Sequence, residues 1–367
     1  MNLRRALSCR LRLTGDFLMV TMSINAKERS ARKRVEWVDL AKGLTILLVV
    51  IMHATGHVEM GMGEDGWMHP IIAFAAPFRM PVFFAVSGLF AAKAISKDWD
   101  TFLNGKFVHF AYFYLLWMTI QFIFKTPFFI QDFGIEGTLF YWLASFVQPF
   151  GLLWFIYLLP VYFVVLRLTK SVPMLAQFAV AIAVKIYAAQ TGIGVVDFFS
   201  KYYVFFLIGH FGRDIWFQLA ETAQQNKLSA ILGLVVWAAA NGAIVYFGYD
   251  DVALVSVVMG AVGFMAVIDF MAILPKRGLA QVLRFCGERS LPIYLGFFLP
   301  MGIARLVIPK LFDFGPGLTA FLVSMAAIVG AIVMYEIVMR LKVGTFLYVR
   351  PRWAKLPDRK AAIVPAE

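Results

Sequence analysis

Ten runs of apolar residues, each close to twenty long, recur between residues 38 and 340. A hydrocarbon core about 30 Å thick takes roughly 20 apolar residues of helix to cross. Backbone polar groups inside lipid must be satisfied within the segment, so each crossing run is helical. The runs lie near 38–57, 71–93, 107–130, 151–168, 173–190, 199–217, 228–247, 252–274, 291–309 and 318–340. The expected fold is an all-α polytopic membrane bundle of about ten transmembrane helices. Residues 138–149 are apolar but too short to cross, and read as an interfacial or re-entrant piece before the fourth run.

Charge placement then decides the class of partner. The chain carries 34 Lys and Arg against 22 Asp and Glu, a formal net charge of +12. Such an excess can signal nucleic-acid binding. Here it is confined to the ends: nine basic residues against Asp16 and Glu28 in residues 1–34, and seven against Asp358 and Glu367 in residues 340–367. Residues 35–339 balance at 18 against 18. A neutral apolar middle between two basic ends excludes a soluble nucleic-acid binder. Membrane lipids are the expected surroundings.

The loops after runs 1, 3, 5, 7 and 9 hold nine acidic residues and one basic one, Lys310. The opposite loops carry Lys97, Lys106, Arg167, Lys170, Arg213, Lys227, Lys276, Arg277, Arg284 and Arg289. Lys/Arg excess marks the cytoplasmic side, so both termini are expected there. The organisation is then a basic, disordered tail over 1–34, a membrane domain over 35–340, and a basic cytoplasmic tail over 341–367. The apolar run FLMV in the first segment is too short for a signal-peptide core; Met19 and Met22 are alternative starts. Cys9 and Cys286 build neither a disulfide framework nor a metal cluster. No internal repeat is evident, which weighs against an inverted-repeat transporter.

Ionisable groups inside membrane spans are costly and mark function. In run 1, Lys42 and His53 are eleven residues apart. At 1.5 Å per residue this is about 16 Å of depth. Eleven steps of 100° end about 20° past three turns, so both lie on one face. Asp39 and His57 extend that stripe by one helical turn at each end. Run 2 descends from the outer side through Arg79 to Ser87-Gly88, interrupted by Pro77 and Pro81. In an antiparallel hairpin Arg79 comes level with His53, and Ser87-Gly88 level with Lys42. The prolines free carbonyls that can line a cavity. Two stations result. Imidazole at the outer one can remove a hydroxyl proton near neutral pH or carry an acyl group itself.

At these residues the chain resembles the integral-membrane acyltransferase-3 family, in particular its sugar O-acetylase-like branch. The family's basic-x10-His signature stands as Lys42-x10-His53, and Phe-Phe-x-x-Ser-Gly as Phe83-Phe84-Ala85-Val86-Ser87-Gly88. Weaker echoes are Leu153-Trp154-Phe155, Phe205-Phe206-Leu207-Ile208-Gly209-His210 and Ser290-Leu291-Pro292-Ile293-Tyr294. The resemblance covers roughly 35–340. It implies acyl-CoA, expected to be acetyl-CoA, as cytoplasmic co-substrate, and a hydroxyl of a glycan or glycoconjugate at the outer face as acceptor. It implies His53 as the catalytic group and Lys42 as a donor-binding one. A bacterial inner membrane is the expected location. Two departures stand out: the family's Arg-x-x-Arg appears as Lys106-Phe107-Val108-His109, and Phe297 occupies the place of a His that often follows the run-9 Tyr.

Around this core each residue has two readings. Arg79 either stabilises an oxyanion or salt-bridges an acid. Ser87, Gly88 and Lys106 contact the donor, or Ser87-Gly88 only packs helices. Lys42 holds the donor or snorkels to headgroups, and Asp39 orients it. His57, Glu59, Asp65 and Trp154 contribute to acceptor binding, or belong to a solvated loop and an aromatic belt. No metal is expected, since the spacings of the first-loop His and acidic residues fit no ligand pattern. The rival functions are a transporter or flippase for a polar or lipid-linked substrate, and a non-enzymatic sensor.

Overall fold

The computed structural model describes residues 35–187 and 191–357. The tail expected over 1–34 and the last ten residues lie outside the described residues. Every regular element among the described residues is helical. In chain order the main helices are α1 (Glu36–Met62), α2 (His69–Gly88), α3 (Val108–Ala144), α4 (Trp154–Leu168), α5 (Met174–Tyr187), α6 (Gly194–Phe211), α7 (Arg213–Gln225), α8 (Lys227–Tyr246), α9 (Ala253–Ile273), α10 (Leu279–Glu288), α11 (Ser290–Gly296), α12 (Phe298–Leu311) and α13 (Pro316–Leu341).

Among the described residues seven helical segments are long and apolar enough to cross a membrane, and the pair α11–α12, bent by 50°, makes an eighth when taken as one span. Of the other two expected runs, one forms α5, only 14 residues long. The other forms α6, where Asp197, Ser200, Lys201 and His210 dilute the apolar face. That run was expected over 199–217. The helix instead starts at Gly194 and stops at Phe211, because the following sequence turns polar and forms the separate helix α7. The expected short piece over 138–149 is partly a continuation of α3, which reaches Ala144 through a kink where Gly134 adopts φ 68°.

Helix α1 is the organising rod. It packs against α10, α13 and α2, while α2 packs in turn on α6 and α9. The α2–α6 crossing is close. A Cβ on Gly88 would strike the Phe206 carbonyl, and one on Gly209 would strike the Ala85 carbonyl. The Ser-Gly end of one motif and the Leu-Ile-Gly-His end of another are thus two halves of one helix contact, the kind of small-residue interface that lets apolar helices associate in lipid. The contact fixes α2, and with it Arg79 and Ser87, against the rest of the bundle.

Residues beyond α13 do not trail away at once. The Trp117 indole N–H donates to the Leu347 carbonyl at 2.9 Å, and the Tyr112 hydroxyl to that of Phe346 at 2.9 Å. Arg350 donates to the Asn104 backbone carbonyl at 2.7 Å and its side-chain oxygen at 2.9 Å. The start of the expected C-terminal tail is therefore docked on α3, at the same end of the bundle as Val35.

Candidate active site

The α1 stripe and the α2 stripe meet as the hairpin reasoning expects. A cavity of about 200 Å³ is bordered by His53, Arg79, Phe83, Trp154, Tyr202 and Tyr294, among others. Towards the Val35 end lies a smaller one of about 130 Å³, bordered by Lys42, Ser87, Ser290 and Tyr294. Phe83, Phe155 and Tyr294 border both. Their rings interlock: Phe83 and Phe155 meet edge to face at 4.6 Å between centroids, and Phe155 and Tyr294 at 5.9 Å. Two polar stations are thus separated by an aromatic wall.

His53 sits on the inward face of α1 beside fully buried Ala54 and Val50. Its ring stacks near that of Phe297 at 5.9 Å. Neither ring nitrogen has a hydrogen-bond partner among the described residues, so both are open to a ligand. One turn on, the His57 ring Nδ1 lies 2.6 Å from the His53 carbonyl. A carbonyl only accepts, so Nδ1 carries the proton there. His57 does not border the His53 cavity; it faces a neighbouring one.

Arg79 is buried, and its guanidinium makes one long bond, 3.4 Å to the Ile72 carbonyl, with Nε left unpartnered. No carboxylate pairs with it among the described residues, so the salt-bridge reading has no acid to rest on. A buried polar group without a partner is rare and calls for a functional explanation. Trp154 also borders the cavity, its indole stacked on Phe198 at 4.6 Å and on Tyr202 at 5.2 Å. It lines the site in addition to any belt role.

At the other station Lys42 pairs with Asp39 at 3.4 Å, one turn away. Ser87 donates to the Phe83 carbonyl of its own helix at 2.9 Å. Its neighbour Gly88 does not face the cavity; the α2–α6 crossing uses it up. Lys106 lies outside this cavity, on a π-helical turn over Leu103–Phe107, with its ammonium 4.2 Å from the Phe163 ring centre.

The loop between α1 and α2 holds its acids away from the His53 cavity. Glu59 is buried and ties the loop down: it accepts from the Gly66 N–H at 2.9 Å and lies 2.9 Å from His69 Nδ1. Asp65 lies 3.5 Å from the same nitrogen. Neither acid borders the His53 cavity. The donor atoms of Glu59, Asp65 and His69 lie within 4.8 Å of one another, the residues best able to hold a metal among those described. Glu59 and His69 are engaged in the loop's own hydrogen bonds, and Asp65 lies at ion-pair distance from the same His69 nitrogen.

Sequence reasoning missed Tyr202, which carries no motif, and undervalued Phe155 and Tyr294, which stood only in the weaker echoes. Tyr294 is fixed by a 2.6 Å bond to the Leu152 carbonyl. It also counted Arg350 merely as tail charge. Two further charged groups of the spans find partners: half-buried Glu336 pairs with Arg289 at 3.0 Å, and buried Lys185 donates to the Lys201 carbonyl at 3.0 Å.

Residues 35–336 match the family model described as an acyltransferase domain, acyltransferase-3. The chain belongs to the acyltransferase-3 family. It is a multi-pass membrane protein. Among curated proteins it is similar to Nodulation protein NolL of Sinorhizobium fredii, 24% identical over 217 residues, covering 59% of this chain and 58% of the relative. Nodulation protein NolL of Mesorhizobium japonicum is 24% identical over 183 residues, covering 49% of this chain and 48% of the relative. The chain thus spans about half the length of the curated relatives it matches. No solved structure matches it.

Proposed function

We propose that this family member is an O-acyltransferase that moves an acyl group, acetyl being the expected one, from cytoplasmic acyl-CoA to a hydroxyl of a glycan or glycoconjugate at the outer face of a bacterial inner membrane. The observation that carries this reading is that His53, whose ring nitrogens make no hydrogen bond among the described residues, and Arg79, whose Nε is unpartnered beside one long bond, border one aromatic-lined cavity. The excess of Lys and Arg in the loops at the Val35 end favours that end as cytoplasmic.

In this reading the thioester reaches the His53 cavity past the wall of Phe83, Phe155 and Tyr294. CoA phosphates stay towards the Val35 end, where Lys42, Lys106 and Arg350 supply positive charge. The acceptor oxygen attacks the thioester carbonyl while His53 takes the hydroxyl proton. Arg79 donates to the oxygen that becomes negative in the tetrahedral state, a donor already in place and shielded from water. The C–S bond then breaks, and the thiolate recovers the proton from the imidazolium. The same geometry also serves a two-step route in which His53 attacks first and the acceptor displaces it from the acyl-imidazole.

The test is transfer of labelled acetyl from acetyl-CoA in membranes containing the protein, with the glycan ester content of a deletion strain compared with wild type by mass spectrometry. Retention of acyl transfer by His53→Ala would overturn the assignment. Label trapped on His53 in the absence of acceptor selects the two-step route.

A further inference from the structure

At the Gly63 end a second cavity lies beside the one that holds His53. It measures about 300 Å³ and is bordered by His57 and Met62 of α1 and by Arg305, Leu306 and Lys310 of α12. Its charge runs against its surroundings, since the loops at this end carry nine acids and a single base. Here Arg305, Lys310 and His57 converge. Three of the acids of this end are engaged elsewhere: Glu59 and Asp65 at His69, and Asp197 on Thr191 and Gly192. Neither Arg305 nor Lys310 has a carboxylate within ion-pair distance among the described residues. Three cationic or cationisable groups gathered without counter-charge repel one another. That cost is offset when an anion joins them.

The border of the cavity tells how such an anion arrives. On α12, Ile303, Leu306, Val307 and Leu311 are exposed apolar residues, and Met62 on α1 is as well. An apolar exposed face on a membrane helix is met by lipid tails, so the opening lies where tails and headgroups meet. A guanidinium fork and an ammonium together fit the oxygens of a phosphate.

We infer that the cavity between His57 and the Arg305–Lys310 turn binds the phosphate of a membrane-embedded amphiphile. Resting on the acyltransferase reading, this places the acceptor: its lipid phosphate is held one helical turn from His53, and the hydroxyl it carries extends into the His53 cavity. The bond from His57 to the His53 carbonyl links the two cavities directly.

Two phosphates probe the site: farnesyl phosphate, standing for a polyprenyl carrier, and dioctanoyl phosphatidic acid, standing for an ordinary glycerolipid. Farnesol and dioctanoylglycerol are their neutral controls. Affinity is measured on the purified full-length protein in a neutral detergent, without acyl-CoA. Both phosphates are expected to bind at least tenfold tighter than their controls, and Arg305→Gln with Lys310→Gln is expected to weaken them at least tenfold. A preference for farnesyl phosphate identifies a carrier-linked ligand; equal binding identifies a headgroup site. Equal affinity for neutral and phosphorylated forms overturns the inference, as does unchanged binding in the double variant. Elution of that variant from size-exclusion chromatography as the same species as wild type, with the same helical circular dichroism, reports that it is folded. His53→Ala is expected to bind both phosphates as wild type does. Loss of transfer activity and loss of phosphate binding are thereby read separately, and either reading can fail without the other.

Discussion

The two stations along α1 are built by the same pair of helices and share an aromatic wall, yet they treat their polar groups in opposite ways. At the Lys42 station the groups are satisfied locally: Lys42 on Asp39, Ser87 on the Phe83 carbonyl. At the His53 station they are left open: the His53 ring nitrogens make no hydrogen bond among the described residues, and Arg79 Nε is unpartnered beside one long bond. A satisfied group costs little to keep and contributes mainly charge and position. An open buried group costs stability and persists where a reacting partner completes it. On the proposed reading the contrast suits the first station to holding and the second to chemistry.

The strongest way to break this contrast is at His53. His53→Ala is expected to lower acetyl transfer by about 10²- to 10⁴-fold, the range that positioned acid–base groups supply. The protein should still reach the membrane in normal amount, since the open ring makes no hydrogen bond to lose. A transfer assay on membranes normalised to protein content checks both. Arg79 comes next. Arg79→Ala is expected to reduce kcat by about 10²- to 10³-fold, as removal of an oxyanion donor does. Arg79→Lys keeps the charge but not the planar fork and should recover only part of the rate. Full recovery with Lys would mean that Arg79 acts as a bare charge.

Much of the site is legible in the sequence, for a physical reason. Helical period and rise convert residue spacing into face and depth, so spacing alone puts Lys42 and His53 on one stripe and Arg79 level with His53. The same arithmetic says nothing about which neighbouring helix closes the cavity. Trp154, Tyr202 and Tyr294 come from three other helices, and the α2–α6 glycine contact that brings Tyr202 near is a property of packing, not of either sequence alone. Glu59 and Asp65 show the opposite failure. Their nearness in sequence to His57 suggests a shared site, but the loop folds back on His69 and takes them away. The Lys-x-x-His departure is likewise met by something out of sequence reach, since Arg350 arrives from beyond α13 to the same turn as Lys106.

At the holding station the expected effect is smaller and falls on a different parameter. Lys42→Ala is expected to raise KM for acyl-CoA about tenfold, ~1.4 kcal/mol, with kcat little changed. Asp39→Asn should move KM less, because Lys42 keeps its charge. A steady-state titration of acyl-CoA at saturating acceptor separates the two parameters. A fall in kcat matching that of Arg79→Ala would erase the distinction between the stations.

The smallest effect is expected at the wall, and it tests whether the two cavities are separate at all. Tyr294 borders both and is held by its bond to the Leu152 carbonyl. Tyr294→Phe removes the bond but leaves the ring, so the partition stays. Its cost is that of an unsatisfied buried carbonyl, about 1–3 kcal/mol of stability, with little change in how acyl groups divide between acceptor and water. Tyr294→Ala removes the ring as well and joins the cavities. Water then reaches the thioester without the acceptor, and the ratio of acyl-CoA hydrolysis to acyl transfer should rise roughly threefold, as a lost exclusion contact of less than ~1 kcal/mol implies. The ratio is the useful measurement, because both variants lose some folded protein and a ratio is indifferent to that loss. An unchanged ratio in Tyr294→Ala would mean that Phe83 and Phe155, which meet edge to face without Tyr294, are enough to keep water and thioester apart.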